Sequence, residues 1–138
     1  MKKTILMLVA IGFIAIAAIT TTFSANAAPT YGLTDSKQKA CIDACNTCVT
    51  SCKKVDGMCS KEKDAKMTEC DKLCKECVTS CTECVKLMQT NDANCKSKCL
   101  ECAKICEKCA TECDTFDTAD CKKCATDCRV AAKSCKEM

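Results

Sequence analysis

Histidine is absent from all 138 residues of the chain. Its absence removes both the commonest general base and a common zinc ligand. Proline occurs once, at Pro29. Beyond residue 34 there is no proline and a single glycine, Gly57, so long helices are permitted there. Aromatics are scarce. Outside the first 27 residues only Tyr31 and Phe116 remain, which leaves no platform for stacking bases. An excess of charge of one sign is missing too. Twenty-one basic and eighteen acidic residues give a formal +3, and Lys2 and Lys3 carry two of those charges. That is no footprint for nucleic acid.

The one long apolar run opens the chain. Lys2 and Lys3 precede residues 5–19, which are apolar apart from Gly12, and Ala25-Asn26-Ala27 offers a small-x-small cleavage site. The pattern predicts a cleavable secretory signal over residues 1–27 rather than a spanning helix. No Arg-Arg pair precedes it, so general secretion fits better than twin-arginine export. No cysteine sits near the cut to carry a lipid. Cleavage leaves 111 residues with a formal charge of +1, about one domain. The expected organisation is a short flexible N-terminus at 28–34 and one cysteine-rich unit at 35–138. The expected product is periplasmic or secreted and free of the membrane.

What the chain has in abundance is cysteine. Twenty occur, at Cys41, Cys45, Cys48, Cys52, Cys59, Cys70, Cys74, Cys77, Cys81, Cys84, Cys95, Cys99, Cys102, Cys106, Cys109, Cys113, Cys121, Cys124, Cys128 and Cys135. Fourteen of the nineteen gaps are 3 or 4 residues, and the others are 7, 8 or 11. All of these return to one face of an α-helix. Four blocks emerge, separated by turn signals near Asp56-Gly57, Thr90-Asn91 and Asp117-Thr118. Helices are expected at about 35–55, 61–89, 92–114 and 118–136. Asn91 or Asp92 would cap the third, and Asp117 or Thr118 the fourth. Cys59 falls at the first turn or just beyond it. Short connections then give an all-α, up-down-up-down four-helix bundle with a sulfur-lined core. Charged residues such as Lys98, Glu101, Lys104 and Glu112 lie off the sulfur face and read as solvated surface.

Three uses of so many thiols compete. Export favours disulfides, which would make the chain a stapled structural protein. Eight C-x-x-x-C pairs are present, but side chains one turn apart sit about 5–6 Å apart at Cβ, and a disulfide wants about 3.5–4.5 Å. Cross-helix bridges remain open. A plain core is the second use, since buried cysteine acts as a small hydrophobe, although leucine or alanine would pack as well without the risk of oxidation. Metal is the third. Metal–sulfur bonds of about 2.3 Å let one ion join two sulfurs up to about 4.6 Å apart, and a linear two-sulfur site suits Cu(I). One Cu(I) per thiolate is locally neutral, whereas five Zn²⁺ on twenty thiolates would leave roughly −10 in a narrow core. Iron–sulfur spacings of the C-x-x-C-x-x-C type are absent. Zinc or another heavy metal is the remaining metal alternative.

Methionine continues the stripes at their ends. Met67 lies three residues before Cys70, Met88 four after Cys84, Met138 beyond Cys135, and Met58 beside the first turn. An up-down bundle puts Met58 and Met67 at one end and Met88 and Met138 at the other. Their thioethers would admit Cu(I), or would simply fill the bundle ends. The core holds few large apolar side chains, so the metal-free form is expected to gain stability on loading.

The segment from Cys41 to Cys48, the run from Cys95 to Cys113 and the segment from Cys121 to Cys128 resemble the cysteine-rich four-helix-bundle copper storage proteins of bacteria. The resemblance spans roughly residue 35 to the end. It implies a thiolate-lined bundle holding many Cu(I) ions per chain, a store rather than an enzyme, and often a tetramer. A copper donor or acceptor protein would be a natural partner. Members commonly carry histidine near the bundle mouth, and this chain has none.

Overall fold

A computed structural model describes residues 31–61 and 64–138, with side chains described from residue 35. The expected signal peptide at 1–27 lies outside the described residues. Four helices follow in order: α1 (Tyr31–Cys59), α2 (Ala65–Gln89), α3 (Cys95–Cys113) and α4 (Ala119–Lys136). Each packs against its two neighbours in a ring, α1 on α2, α2 on α3, α3 on α4 and α4 back on α1. The diagonal helices touch only through side chains at the centre. The four-helix architecture is thus as the cysteine period predicts.

The ends of the helices differ from expectation in instructive places. α1 is described from Tyr31, a few residues ahead of the expected start near 35, with no proline after Pro29 to break it. It also runs through Gly57 to Cys59 instead of stopping at Asp56-Gly57. One glycine costs a helix only about 1 kcal/mol, and burying Val55 and Cys59 on the inner face offsets that. α2 starts late, at Ala65, where Asp64 Oδ1 accepts from Lys66 N at 3.2 Å. Thr118 caps α4 as expected, accepting from Cys121 N at 3.2 Å.

Asn91 does not cap α3. It ends α2 instead, with φ 50° in the left-handed region that asparagine tolerates. Asn91 N donates to Met88 O at 3.2 Å and Asp92 N to Leu87 O at 3.0 Å, the paired bonds of a Schellman motif. Asp92 then turns the chain toward α3 by accepting from Asn94 N at 2.8 Å.

The interior is built almost wholly of sulfur and small residues. Nineteen of the twenty cysteines are buried, and Cys95 is half-buried. Between them lie Ala44, Ala103, Ala110, Ala125, Ala131 and Ala132, which let the helices approach closely. Val55, Met67 and Met88 are the only larger side chains in the buried core among the described residues. Ser51, almost buried on α1, donates its hydroxyl to Asp127 Oδ2 on α4, where Lys123 Nζ also binds at 2.8 Å. None of the described helices is long and apolar enough to cross a membrane.

Candidate metal centre

Each helix turns one cysteine row inward, so the bundle axis becomes a column of sulfur. Four of the eight C-x-x-x-C pairs lie at 3.9 Å between sulfurs: Cys48/Cys52, Cys95/Cys99, Cys102/Cys106 and Cys124/Cys128. That is within the roughly 4.6 Å that one ion spans linearly between two thiolates. More of the short contacts run between helices. Cys48 Sγ is 3.4 Å from Cys128 and 3.5 Å from Cys77. Cys52 is 3.5 Å from Cys124, and Cys81 is 3.6 Å from both Cys102 and Cys106. Cys41 and Cys45 meet Cys135 at 3.6 and 3.7 Å, and Cys70 and Cys74 meet Cys113 and Cys109 at 3.8 Å. Even diagonal helices touch, through Cys52/Cys109 at 3.9 Å and Cys77/Cys128 at 4.0 Å.

The cross-helix contacts gather thiols into fours. Cys45, Cys84, Cys102 and Cys135 lie within 4.8 Å of one another, as do Cys48, Cys77, Cys81 and Cys106, and Cys74, Cys109, Cys113 and Cys124. Further fours reuse the same atoms: Cys52, Cys109, Cys124 and Cys128 form one, and Cys48, Cys52, Cys77 and Cys128 another. Intrahelical pairs alone would not supply a tetrahedral set, but helix packing does. The sets overlap, however. Filling one as a closed tetrahedral site takes sulfurs from the next, whereas two-coordinate ions leave each thiolate free to bridge to another. Overlap therefore suits many small-coordination soft ions better than a few discrete zinc sites.

The proton inventory fits a cargo that displaces protons. Burial pushes the thiols of Cys59 and Cys95 up to about 12. Burial likewise raises Cys121. In the column's middle, thiols donate to one another: the bonds that Cys52 donates to Cys109 and Cys124 hold it well above the ordinary range. Near the α1 start, Cys135 and Cys45 donate to Cys41 and bring it down to about 5. The thiols around Cys48, Cys77, Cys102 and Cys124 hold those groups low, so raised and lowered cysteines alternate along the column, and a soft cation displaces the protons that they share.

The profile of the copper storage protein family matches residues 34–138. The chain belongs to that family. Among solved structures, the Cu(I)-bound copper storage protein BsCsp3 is 37% identical, with a TM-score of 0.70 over 74% of this chain and 97% of that one. The apo form of copper storage protein 3 from Bacillus subtilis is also 37% identical, with a TM-score of 0.68 over 72% and 95% of the two chains. A protein from Nitrosospira multiformis is 28% identical, with a TM-score of 0.68 over 75% and 94%. No curated protein matches significantly. The family's cargo is copper, and the column is where this chain's thiols are.

The four methionines sit where the stripes end. Met67 is buried, and its Sδ accepts from Cys59 Sγ at 3.7 Å, with half-buried Met58 nearby in sequence. Met88 is buried at the opposite end, and Met138 is half-buried beside it. Both line an open pocket of about 250 Å³ that Cys95 also reaches. Sequence reasoning missed Gln38, whose amide donates to Met88 O and, at 3.4 Å, to Asn91 Oδ1. Nothing in the cysteine period marks it, because it lies before the first thiol and acts across the bundle.

Proposed function

We propose that the mature chain is an exported store that holds Cu(I) through the thiolates of all twenty cysteines. The observation that supports this most is the overlap of the four-thiol sets in a core where, among the described residues, the only other soft metal donor is thioether. Each Cu(I) that enters displaces a proton and leaves the site neutral, so the column fills without building charge in a dry interior. A tetrathiolate zinc site would instead carry about −2 each time. The solved relative that is Cu(I)-bound supports the same cargo. Storage rather than catalysis follows from burial: a thiol-exchange enzyme needs one or two exposed, activated cysteines, and here nineteen are buried.

Metal enters at the end where α2 and α4 finish, past Met88, Met138 and Cys95. Met67 and Met58 belong to the opposite end, where Met67 serves Cys59. Export follows from the leader at residues 1–27, and the partner would be a copper donor or acceptor protein outside the cytoplasm. Association into a tetramer is carried over from the resemblance and is read by light scattering of the mature chain.

Anaerobic titration of reduced protein with Cu(I) tests the reading. Saturation should approach one ion per thiol, near the twenty cysteines present. Saturation at about four or five ions, or preference for Zn²⁺ over Cu(I) in competition, would support tetrahedral sites and reject the copper store. A thiol count on protein purified without reductant separates the stapled structural alternative, which requires nearly none free. N-terminal sequencing of the exported form should begin at Ala28.

A further inference from the structure

The tightest sulfur contact lies at one end of the column and not in its middle. Cys84 Sγ and Cys99 Sγ are 2.8 Å apart, while the other thiol contacts run from 3.4 to 4.0 Å. Both remain free thiols. Cys84 lies near the end of α2 and Cys99 one turn into α3, on the two arms of the hairpin that Asn91 closes. Because they belong to different helices, a bond between them does not have to span one turn of a single helix, unlike an i,i+4 pair. Access is also unequal along the column. Cys95 is the half-buried cysteine, lies 3.9 Å from Cys99 and lines the open pocket. Cys84 and Cys99 are themselves buried, and Cys95 alone of the three faces the pocket, so the path of a small oxidant to Cys99 runs past Cys95. The next closest pair, Cys48 and Cys128, is equally buried but has no half-buried cysteine in contact with it.

We propose that Cys84 and Cys99 form a reversible disulfide at this mouth, made by a hydroperoxide. One of the two thiols attacks the peroxide O–O bond, giving a sulfenic acid and releasing the other oxygen as water. The second thiol attacks the sulfenic sulfur; the S–O bond breaks, the S–S bond forms and another water leaves. Two thiols and one hydrogen peroxide become one disulfide and two waters, with two electrons passing from sulfur to oxygen. A thiol reductant reverses the bond by exchange. The disulfide takes Cys84 out of its set with Cys45, Cys102 and Cys135 and ties α2 to α3 across the pocket. Bond formation does not depend on the copper reading; only its effect on loading does.

One equivalent of hydrogen peroxide is added to reduced, metal-free mature protein under anaerobic conditions, followed by alkylation and tandem mass spectrometry. The expected first product is two hydrogens lighter, joins Cys84 to Cys99, and returns to full thiol with dithiothreitol. A first disulfide scattered over many pairs, one seated at Cys48 and Cys128, or irreversible oxidation without a disulfide overturns the proposal. Cys99→Ser should slow disulfide formation several-fold; an unchanged rate overturns it as well. If that variant does not fold, the mapping of the unaltered protein decides alone. Loading rate is then measured separately: an oxidised protein that takes up Cu(I) as fast as the reduced one removes the gating consequence and leaves the disulfide standing.

Discussion

The two ends of the sulfur column carry similar thiols and are closed differently. At the Gly57 end, α1 continues to its last cysteine, so Cys59, Cys70 and Cys121 are all buried, and Met67 accepts from Cys59 at 3.7 Å. Outside them Lys75 bridges Asp71 at 2.6 Å and Asp56 at 3.3 Å, fastening α2 to α1. At the Met88 end, Cys95 is half-buried, an open pocket reaches it, and one side chain, Gln38, spans from α1 to the α2 turn. The cysteine rows are uniform, so on the proposed reading the last turn of each helix decides which end admits an ion. Storage capacity belongs to the column, and access belongs to its caps.

Loading should abolish the difference. An ion held only by the folded chain stabilises it by RT ln(1 + [L]/Kd), about 4 kcal/mol for each site at a thousandfold excess over Kd. Anaerobic thermal unfolding should therefore show a large rise in Tm on adding Cu(I), and amide exchange near Cys95 should slow to match that near Cys59. Equal melting of empty and filled protein would mean that the column binds nothing that depends on its fold.

Alkali should loosen both ends together. Cys59 and Cys95 ionise near 9.0 in the unfolded chain and are held up to about 12 in the folded one. The folded state thus keeps its protons more tightly. The associated stability is complete below about pH 9 and is lost as pH climbs toward about 12. Metal-free protein should melt at steadily lower temperature across that window, and a Cys59→Ser/Cys95→Ser double variant should show a shallower decline. Identical slopes would place the alkaline loss elsewhere in the column.

The ends separate most sharply in rate. Replacing Met88 and Met138 with leucine keeps their bulk but removes both thioethers from the pocket. If they relay the ion, losing about 1 kcal/mol of transition-state contact slows loading roughly fivefold, with capacity unchanged. Leucine at Met58 and Met67 should leave the rate nearly as it was, because Cys59, Cys70 and Cys121 at that end are buried. Stopped-flow loading of the two double variants decides, and equal rates would return the methionines to mere filling of the bundle ends.

What the sequence told about these ends, and what it hid, has a physical pattern. Cysteine gaps of 3, 4, 7, 8 and 11 are helical returns, so the rows, the helix count and the antiparallel order were legible. Thr118 was legible as a cap because its side chain acts within its own turn. Asn91 was misread because a residue suited to φ > 0 serves a helix end as well as a helix start. The pairing of Cys48 with Cys128 or Cys84 with Cys99 was hidden, since it depends on how four helices settle in register. Gln38 was hidden for the same reason.

Gly57 shows the smallest and most local asymmetry between the ends. Its period-breaking character suggested a turn, yet it lies within α1, on the exposed face. A Cβ placed there meets nothing within 4 Å. Gly57→Ala should consequently stabilise the metal-free protein by about 0.5–1 kcal/mol, through reduced freedom of the unfolded chain and better helix propensity. Denaturant unfolding of the reduced protein measures this as a higher midpoint at constant m-value. Because the substitution adds only a methyl on the solvent side, loading rate and capacity should not change. A destabilised Gly57→Ala protein would show that α1 must open at this glycine, and the Gly57 end would become the mobile one.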